Sequence, residues 1–252
     1  MQLTNALKKE IYSLQQAKHR RRLHAFVVEG RRAVTDTLGH FDCVTVVATQ
    51  QWLDENTAVV AGCDVTVASG AEMSRISGMV TAPPVLAYYR MPEYPMPDVC
   101  QPGLMLALDS VQDPGNLGTI IRVADWMGVR HIIAGDNTAD AFAPKVVQST
   151  MGSIARVQVH YTDLAATLKE MAKVRPVIGT LLDNRAENVY DAQLPDNAVI
   201  VMGNEGNGIS PDIRQLLTRS LYIPPYPADA ETAESLNVAI ATAIVLSQFR
   251  SR

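Results

Sequence analysis

The sequence predicts an α/β protein built from two segments, and three observations carry that prediction. Short apolar runs alternate with helix-like stretches beyond residue 100, the pattern of a parallel sheet covered on both faces. Pro92, Pro95, Pro97 and Pro102 fall within eleven residues and set this part off from a smaller α/β segment before it. Hydrophobic residues make up 47% of the 252, against 19% charged, which is ample material for a packed core.

The first segment opens with a polar helix at about Leu3 to Lys18, which leads into a strand near Ala25 to Val28. A helix follows Gly30, and later strands read near Val44 to Ala48, Val65 to Ala68 and Val85 to Tyr89. Proline fixes φ and cannot donate to a strand ladder, so the proline-rich stretch reads as an extended connector. The boundary falls there, giving domains at 1–95 and 96–252. In the second segment, strands are expected near Met105 to Leu108, His131 to Ala134, Val177 to Gly179, Val199 to Met202 and Leu221 to Ile223. Helices are expected at about Leu117 to Met127, Pro144 to Met151, Leu164 to Ala172, Pro211 to Leu217 and Ser235 to Phe249. Ser210-Pro211-Asp212 is a good helix start: Ser can cap, Pro suits the first turn, and Asp complements the positive end of the dipole.

No apolar run approaches the ~20 residues that a membrane span requires, and Met1 to Tyr12 holds no apolar stretch of the secretory-signal kind. Cys43, Cys63 and Cys100 are odd in number and widely spaced, with no CxxC pair. That pattern argues against a disulfide framework and against a zinc site, and it fits a reducing cytoplasm. Neither a membrane nor a metal is therefore expected as a partner. Net charge is −4, yet residues 1–32 hold eight cations and two anions, so this stretch carries +6 and the rest −10. Such asymmetry suits a local phosphate-binding surface on an acidic body, with a solubilising basic helix as the plainer alternative.

Three clusters carry chemistry. In Leu106 to Arg122 a strand ends, Asp113-Pro114-Gly115 turns, and Asn116 can cap a helix. Arg122 then lies about 1.7 turns on and can reach back over the strand's carboxyl edge, where open α/β sheets bind ligands. Alone, this is an ordinary turn, and a helix arginine commonly pairs with a nearby carboxylate. In Ile200 to Ser210 a buried strand runs into a loop holding Gly203, Gly206 and Gly208. Glycine lets backbone amides approach a ligand closely, but GxxGxG is neither the dinucleotide fingerprint nor a P-loop. The third cluster, Ser235-Leu236-Asn237, opens a last helix that is apolar on nearly every side. Such a helix must be buried all round, by its own core or by a partner subunit, and Ser235 and Asn237 could simply cap it.

Together the clusters resemble the three signature motifs of SpoU-type (TrmH-like) RNA methyltransferases of the SPOUT superfamily. N-x-G-x-x-x-R stands at Asn116 to Arg122, G-N-E-G-x-G at Gly203 to Gly208, and S-L-N at Ser235 to Asn237. Pro144-Lys145-Val146-Val147 and Met151-Gly152 look like the family's intermediate helix. The resemblance covers about residues 100–250. Ahead of it, Phe26-Val27-Val28-Glu29-Gly30-Arg31 is similar to the ribosomal-protein-like α/β domain with which many members bind substrate.

The resemblance implies a trefoil-knotted parallel-sheet domain, a homodimer, and transfer of methyl from S-adenosylmethionine to a ribose 2′-hydroxyl of RNA. Ribosomal RNA ranks ahead of transfer RNA because of the substrate domain. Carried over by position, Met202, Gly203, Gly208, Ile223 and Leu236 would contact the cofactor. Arg122 matches the proposed catalytic arginine, with Asn116, Glu205, Ser235 and Asn237 completing the site. A guanidinium with a pKa above ~12 is an awkward base, so positioning a phosphate and the attacking oxygen is its plainer role. Arg20, Arg21, Arg22, Arg31 and Arg32 would be the phosphate contacts of the amino-terminal domain. The link from Pro224 to Glu234 is longer than the family's usual one and carries Asp229, Glu231 and Glu234. Two alternatives remain: a non-catalytic RNA-binding ribosome-assembly factor on the same fold, and a nucleotide-dependent oxidoreductase, whose glycine fingerprint is missing.

Overall fold

The computed structural model describes residues 2–183, 186–227 and 233–251. Its first elements are α1 (Asn5–Ser13), α2 (Ala17–Leu23), β1 (Ala25–Glu29), α3 (Arg31–Thr37), β2 (Cys43–Ala48), α4 (Gln50–Glu55), β3 (Val65–Val67), α5 (Gly70–Ile76) and β4 (Val85–Arg90). After the connector come β5 (Leu104–Leu108), α6 (Pro114–Trp126), β6 (His131–Ala134), α7 (Pro144–Thr150), β7 (Gln158–Tyr161), α8 (Leu164–Met171) and β8 (Val177–Thr180). The chain continues with β9 (Glu187–Asn188), β10 (Ala198–Met202), α9 (Pro211–Arg214), β11 (Arg219–Tyr222) and α10 (Val238–Arg250).

Two units form. One is Met1–Glu93 with Asp140–Arg156, and the other is Tyr94–Ala139 with Val157–Arg252. The first therefore takes in α7, which a division at 95/96 assigns to the carboxy-terminal domain. Its mixed sheet has the order β1-β4-β2-β3, with β4 antiparallel to both neighbours and β2 parallel to β3. Ile11, Leu14, Val27, Val47, Met73 and Leu86 pack one core. Phe26 packs on Phe142 at 4.6 Å and on Tyr89 at 5.4 Å between ring centroids, which ties the 140–156 segment into this unit. The single helix expected over Leu3 to Lys18 is broken at Gln16, whose backbone is extended. Ile11 and Leu14 stay fully buried, and the Arg20 guanidinium donates to the carbonyl oxygens of Leu14 at 2.8 Å and Gln15 at 3.1 Å, so the break leaves neither orphaned.

The second unit is a seven-stranded sheet, β7-β6-β5-β10-β8-β11-β9, in which every pairing is parallel. β10 lies beside β5, with Met202 opposite Leu108, so both strands deliver their following loops to one edge. α10 packs against α6. Two strands, β7 and β9, go beyond the expected set. Two helix starts differ, and a third lacks its expected cap bond. α6 begins at Pro114, capped by Asp113, whose carboxylate accepts from the Asn116 amide nitrogen at 2.8 Å; Asn116 is thus inside the helix and is not its cap. α10 begins at Val238, with Asn237 as cap and Ser235 ahead of it. Ser210 occupies the cap position of the four-residue α9, but its side chain makes no cap bond.

Candidate active site

The glycine-rich loop follows β10 and is closed by its own backbone. Asn204 and Gly208 exchange two N–H···O bonds of 2.9 Å each. The Asn204 Oδ1 accepts from the amides of Gly206 and Asn207, both at 3.0 Å. Gly203 is required by close approach: a Cβ there would come within 2.2 Å of the Gly208 carbonyl carbon. Gly208 has φ +67°, in the left-handed region.

This loop is laced to the one after β5. Asn204 Nδ2 donates to the Ser110 carbonyl at 2.8 Å, and the buried Asp109 carboxylate accepts the Ser210 amide at 2.6 Å. The Glu205 carboxylate accepts from Asn116 Nδ2 at 3.0 Å and from the backbone amides of Asp113 at 3.3 Å and Gln112 at 3.4 Å. Asn237 Nδ2 in turn donates to Asn116 Oδ1 at 2.8 Å, while its own Oδ1 caps α10. Burial pushes the Glu205 carboxyl up, but the hydrogen bonds from Asn116 and the backbone amides outweigh it and hold the group below the usual carboxylate range. Glu205 is therefore an ionised, pre-oriented acceptor.

Beside this network opens a cleft of about 220 Å³. Met202, Gly203, Gly208, Ile223 and Leu236 all line it, together with Glu205 and Ser235. Of the long link, residues 228–232, with Asp229 and Glu231, lie outside the described residues; Ile223 and Leu236 flank them. Arg122 does not line the cleft. It is exposed on α6, and its guanidinium makes no ion pair or hydrogen bond among the described residues. Asn204, Asp109 and Thr180 complete the site without having been singled out in the sequence. Asn204 had a signal, since Asn in a glycine loop can satisfy neighbouring amides; Thr180, at the end of β8, had none.

The five arginines of the amino-terminal unit divide. Arg20 corrects the phosphate-contact expectation: it is only 3% exposed, and its guanidinium is bonded to Asp140 at 2.6 Å. All its reach is spent inside the fold. Arg21 and Arg22 stand in solvent. Arg31 and Arg32 are exposed, in loose ion pairs with Glu55 at 3.3 Å and Asp36 at 3.6 Å. Among the described residues no three His, Cys, Asp or Glu groups converge on a metal position, and no helix is long and apolar enough to cross a membrane.

A parallel sheet with two interlaced loops and a cleft at the carboxyl ends of its central strands defines the chain as an α/β ligand-binding protein of the open-sheet class. Comparison with known proteins narrows the class. Residues 103–247 match the SpoU rRNA methylase family, and residues 5–87 match an MRM3-like substrate-binding domain. The chain belongs to the SpoU rRNA methylase family. It is 32% identical over 243 residues to the 23S rRNA (guanosine(2553)-2'-O)-methyltransferase RlmP of Bacillus subtilis (strain 168), covering 96% of this chain and 95% of that protein. A TrmH-family structure from Porphyromonas gingivalis superposes with TM-score 0.87 at 39% identity, over 100% of this chain and 99% of that one. The AdoMet-bound rRNA methyltransferase from Sinorhizobium meliloti does so with TM-score 0.86 at 29% identity, over 100% and 96%.

Proposed function

We propose that this chain transfers a methyl group from S-adenosylmethionine to a ribose 2′-hydroxyl of ribosomal RNA, residues 1–95 binding the RNA and 96–252 carrying the transfer. The observation that carries the reading is the hydrogen-bonded chain Asn237–Asn116–Glu205 set beside the cleft of Gly203, Ile223 and Leu236. The cleft suits the cofactor chemically. Leu221, Ile223 and Leu236 offer apolar contact to an adenine ring, and the backbone of the 203–208 loop offers polar partners to its edge. When bound, the cofactor supplies an electrophilic methyl on a cationic sulfur. Met202, Gly203, Gly208, Ile223 and Leu236 would hold it.

The chain's own groups then act on the RNA. Glu205 holds Asn116, and Asn116 and Asn237 present polar groups that orient the ribose. Arg122, exposed and without a partner among the described residues, holds a backbone phosphate next to the attacking oxygen through its rigid fork. The reading keeps the family's trefoil knot, and it includes a homodimer, since the packed pair α6 and α10 leaves Trp126 87% and Ile240 52% exposed. A monomer at micromolar concentration in light scattering would count against the dimer. Cys43, Cys63 and Cys100 are all free thiols, which suits action in the cytoplasm.

Labelled methyl transfer to unmodified RNA, followed by digestion to nucleosides, tests the proposal. Label in a 2′-O-methylnucleoside from large ribosomal RNA is expected. Label on a base overturns the ribose chemistry, and label in transfer RNA alone overturns the substrate. Cofactor binding without any transfer favours the assembly-factor alternative. Arg122→Ala, with RNA and cofactor saturating, is expected to lose turnover by about a hundredfold or more.

A further inference from the structure

We propose that a cavity beside Glu29 in the amino-terminal unit binds one unstacked guanine base of the RNA; the inference rests on the RNA-methyltransferase reading above. The cavity measures about 470 Å³, within the range of small-ligand pockets. Val27, Met79 and Val147 give it apolar walls, and Gln15, Glu29, Lys145 and Gln148 give it polar ones. Glu29 belongs to the Phe26–Arg31 motif, and nothing in the methyl-transfer site uses it. An apolar slot with a polar edge is what a flat, hydrogen-bonding ring requires, and RNA sequence is read chiefly from such unstacked bases.

The carboxylate selects the base. Its Oε1 accepts from the Gly78 amide at 3.0 Å and from Gln15 Nε2 at 3.4 Å, and its Oε2 accepts from the Ser77 hydroxyl. A carboxylate has roughly four lone-pair positions, so one on Oε2 is open. The Gln15 bond is near the length limit for a hydrogen bond and is the exchangeable one. Two acceptor positions, one on each oxygen, can thus face a ligand. Guanine carries two adjacent donors, N1–H and the N2 amino group, on its Watson–Crick edge. Adenine, cytosine and uracil place an acceptor next to their donor on that edge, and an acceptor facing a carboxylate is repelled. A Cβ at Gly78 would come within 2.3 Å of Gln15 Oε1, so glycine there leaves the Gln15 amide its place beside Glu29.

The test is equilibrium binding of the full chain to short single-stranded oligouridylates with one central guanosine or one central inosine, at fixed salt. Inosine lacks only the N2 amino group. Guanosine is expected to bind about tenfold tighter, the worth of one hydrogen bond to a charged group. Glu29→Gln should reduce that ratio below about twofold. So should Gln148→Trp, which fills the cavity from an exposed position and leaves the bonds of Glu29 untouched. A clamp holding only residues 77–79 would not discriminate the two bases. Equal affinities, or a preference that survives both substitutions, overturns the inference. Methyl transfer by the unsubstituted chain is measured alongside, so loss of the enzymatic reading is seen separately from loss of the base preference.

Discussion

The arginine-rich end of α2 and the glycine-rich loop after β10 are both short polar stretches, and the fold uses them by opposite rules. Arg20, Arg21 and Arg22 are chemically identical neighbours, yet one is buried on Asp140 and two stand in solvent. Consecutive residues on a helix point about 100° apart, so helical phase decides which arginine meets the core. In the loop, position follows from the backbone itself: Gly203 is forced by the nearness of Gly208, and Asn204 ties its own loop to the one after β5. A run of charge describes a surface only after its phase is known, whereas a steric demand for glycine acts at one residue.

Gly203→Ala should break the loop side of this contrast most severely. Its Cβ would strike backbone, so the loop must open, and cofactor affinity is expected to fall more than about a hundredfold in calorimetric titration. Unchanged affinity would remove the cleft as the cofactor site. On the arginine side, Arg20→Ala strands Asp140 and two carbonyls and is expected to cost about 3 kcal/mol in urea unfolding. Arg21→Ala should stay within about 0.5 kcal/mol; equal losses would erase the distinction between them.

His160 sharpens the comparison, as a buried neutral ring in the second unit against a buried cation in the first. Burial, then the neighbouring His131 at 3.2 Å, pushes its pKa from 6.5 down to about 4. A depressed folded value means that the unfolded chain takes the proton first as pH falls. The stability from the neutral ring is therefore present above 6.5 and is lost between 6.5 and 4, on the order of 3 kcal/mol. His160→Asn should flatten the pH dependence of stability across that window. The smallest effect concerns salt. Arg21→Ala and Arg22→Ala should each lower the slope of log affinity for RNA against log salt by ~0.7–0.9. A slope unmoved by either would take α2 out of the interface.

Much of the second unit could be read from residues alone because buried parallel strands are nearly pure apolar runs: β6 stands at His131–Ala134, where it was expected, and β5, β8 and β10 lie within a residue of expectation. β7 escaped because Gln158, His160 and Tyr161 mask an edge strand, and β9 because two residues carry no periodicity. α4 and α5 are too short, at six and seven residues, to show a helical stripe. Within the site, glycines and apolar flanks located the cleft. The bonds from Asn237 to Asn116 and from Asn116 to Glu205 span 121 and 89 residues, and no local pattern encodes such a pairing.

The recruitment of Asp140–Arg156 by the amino-terminal unit sets an order on synthesis. A nascent chain that has emerged only to Glu93 holds the full mixed sheet but lacks the Phe142 ring that covers Phe26 and the carboxylate that neutralises Arg20. Its last core contacts arrive after β5, α6 and β6 have been made. The part of the protein translated first is thus finished late, with an aromatic surface left uncovered until then.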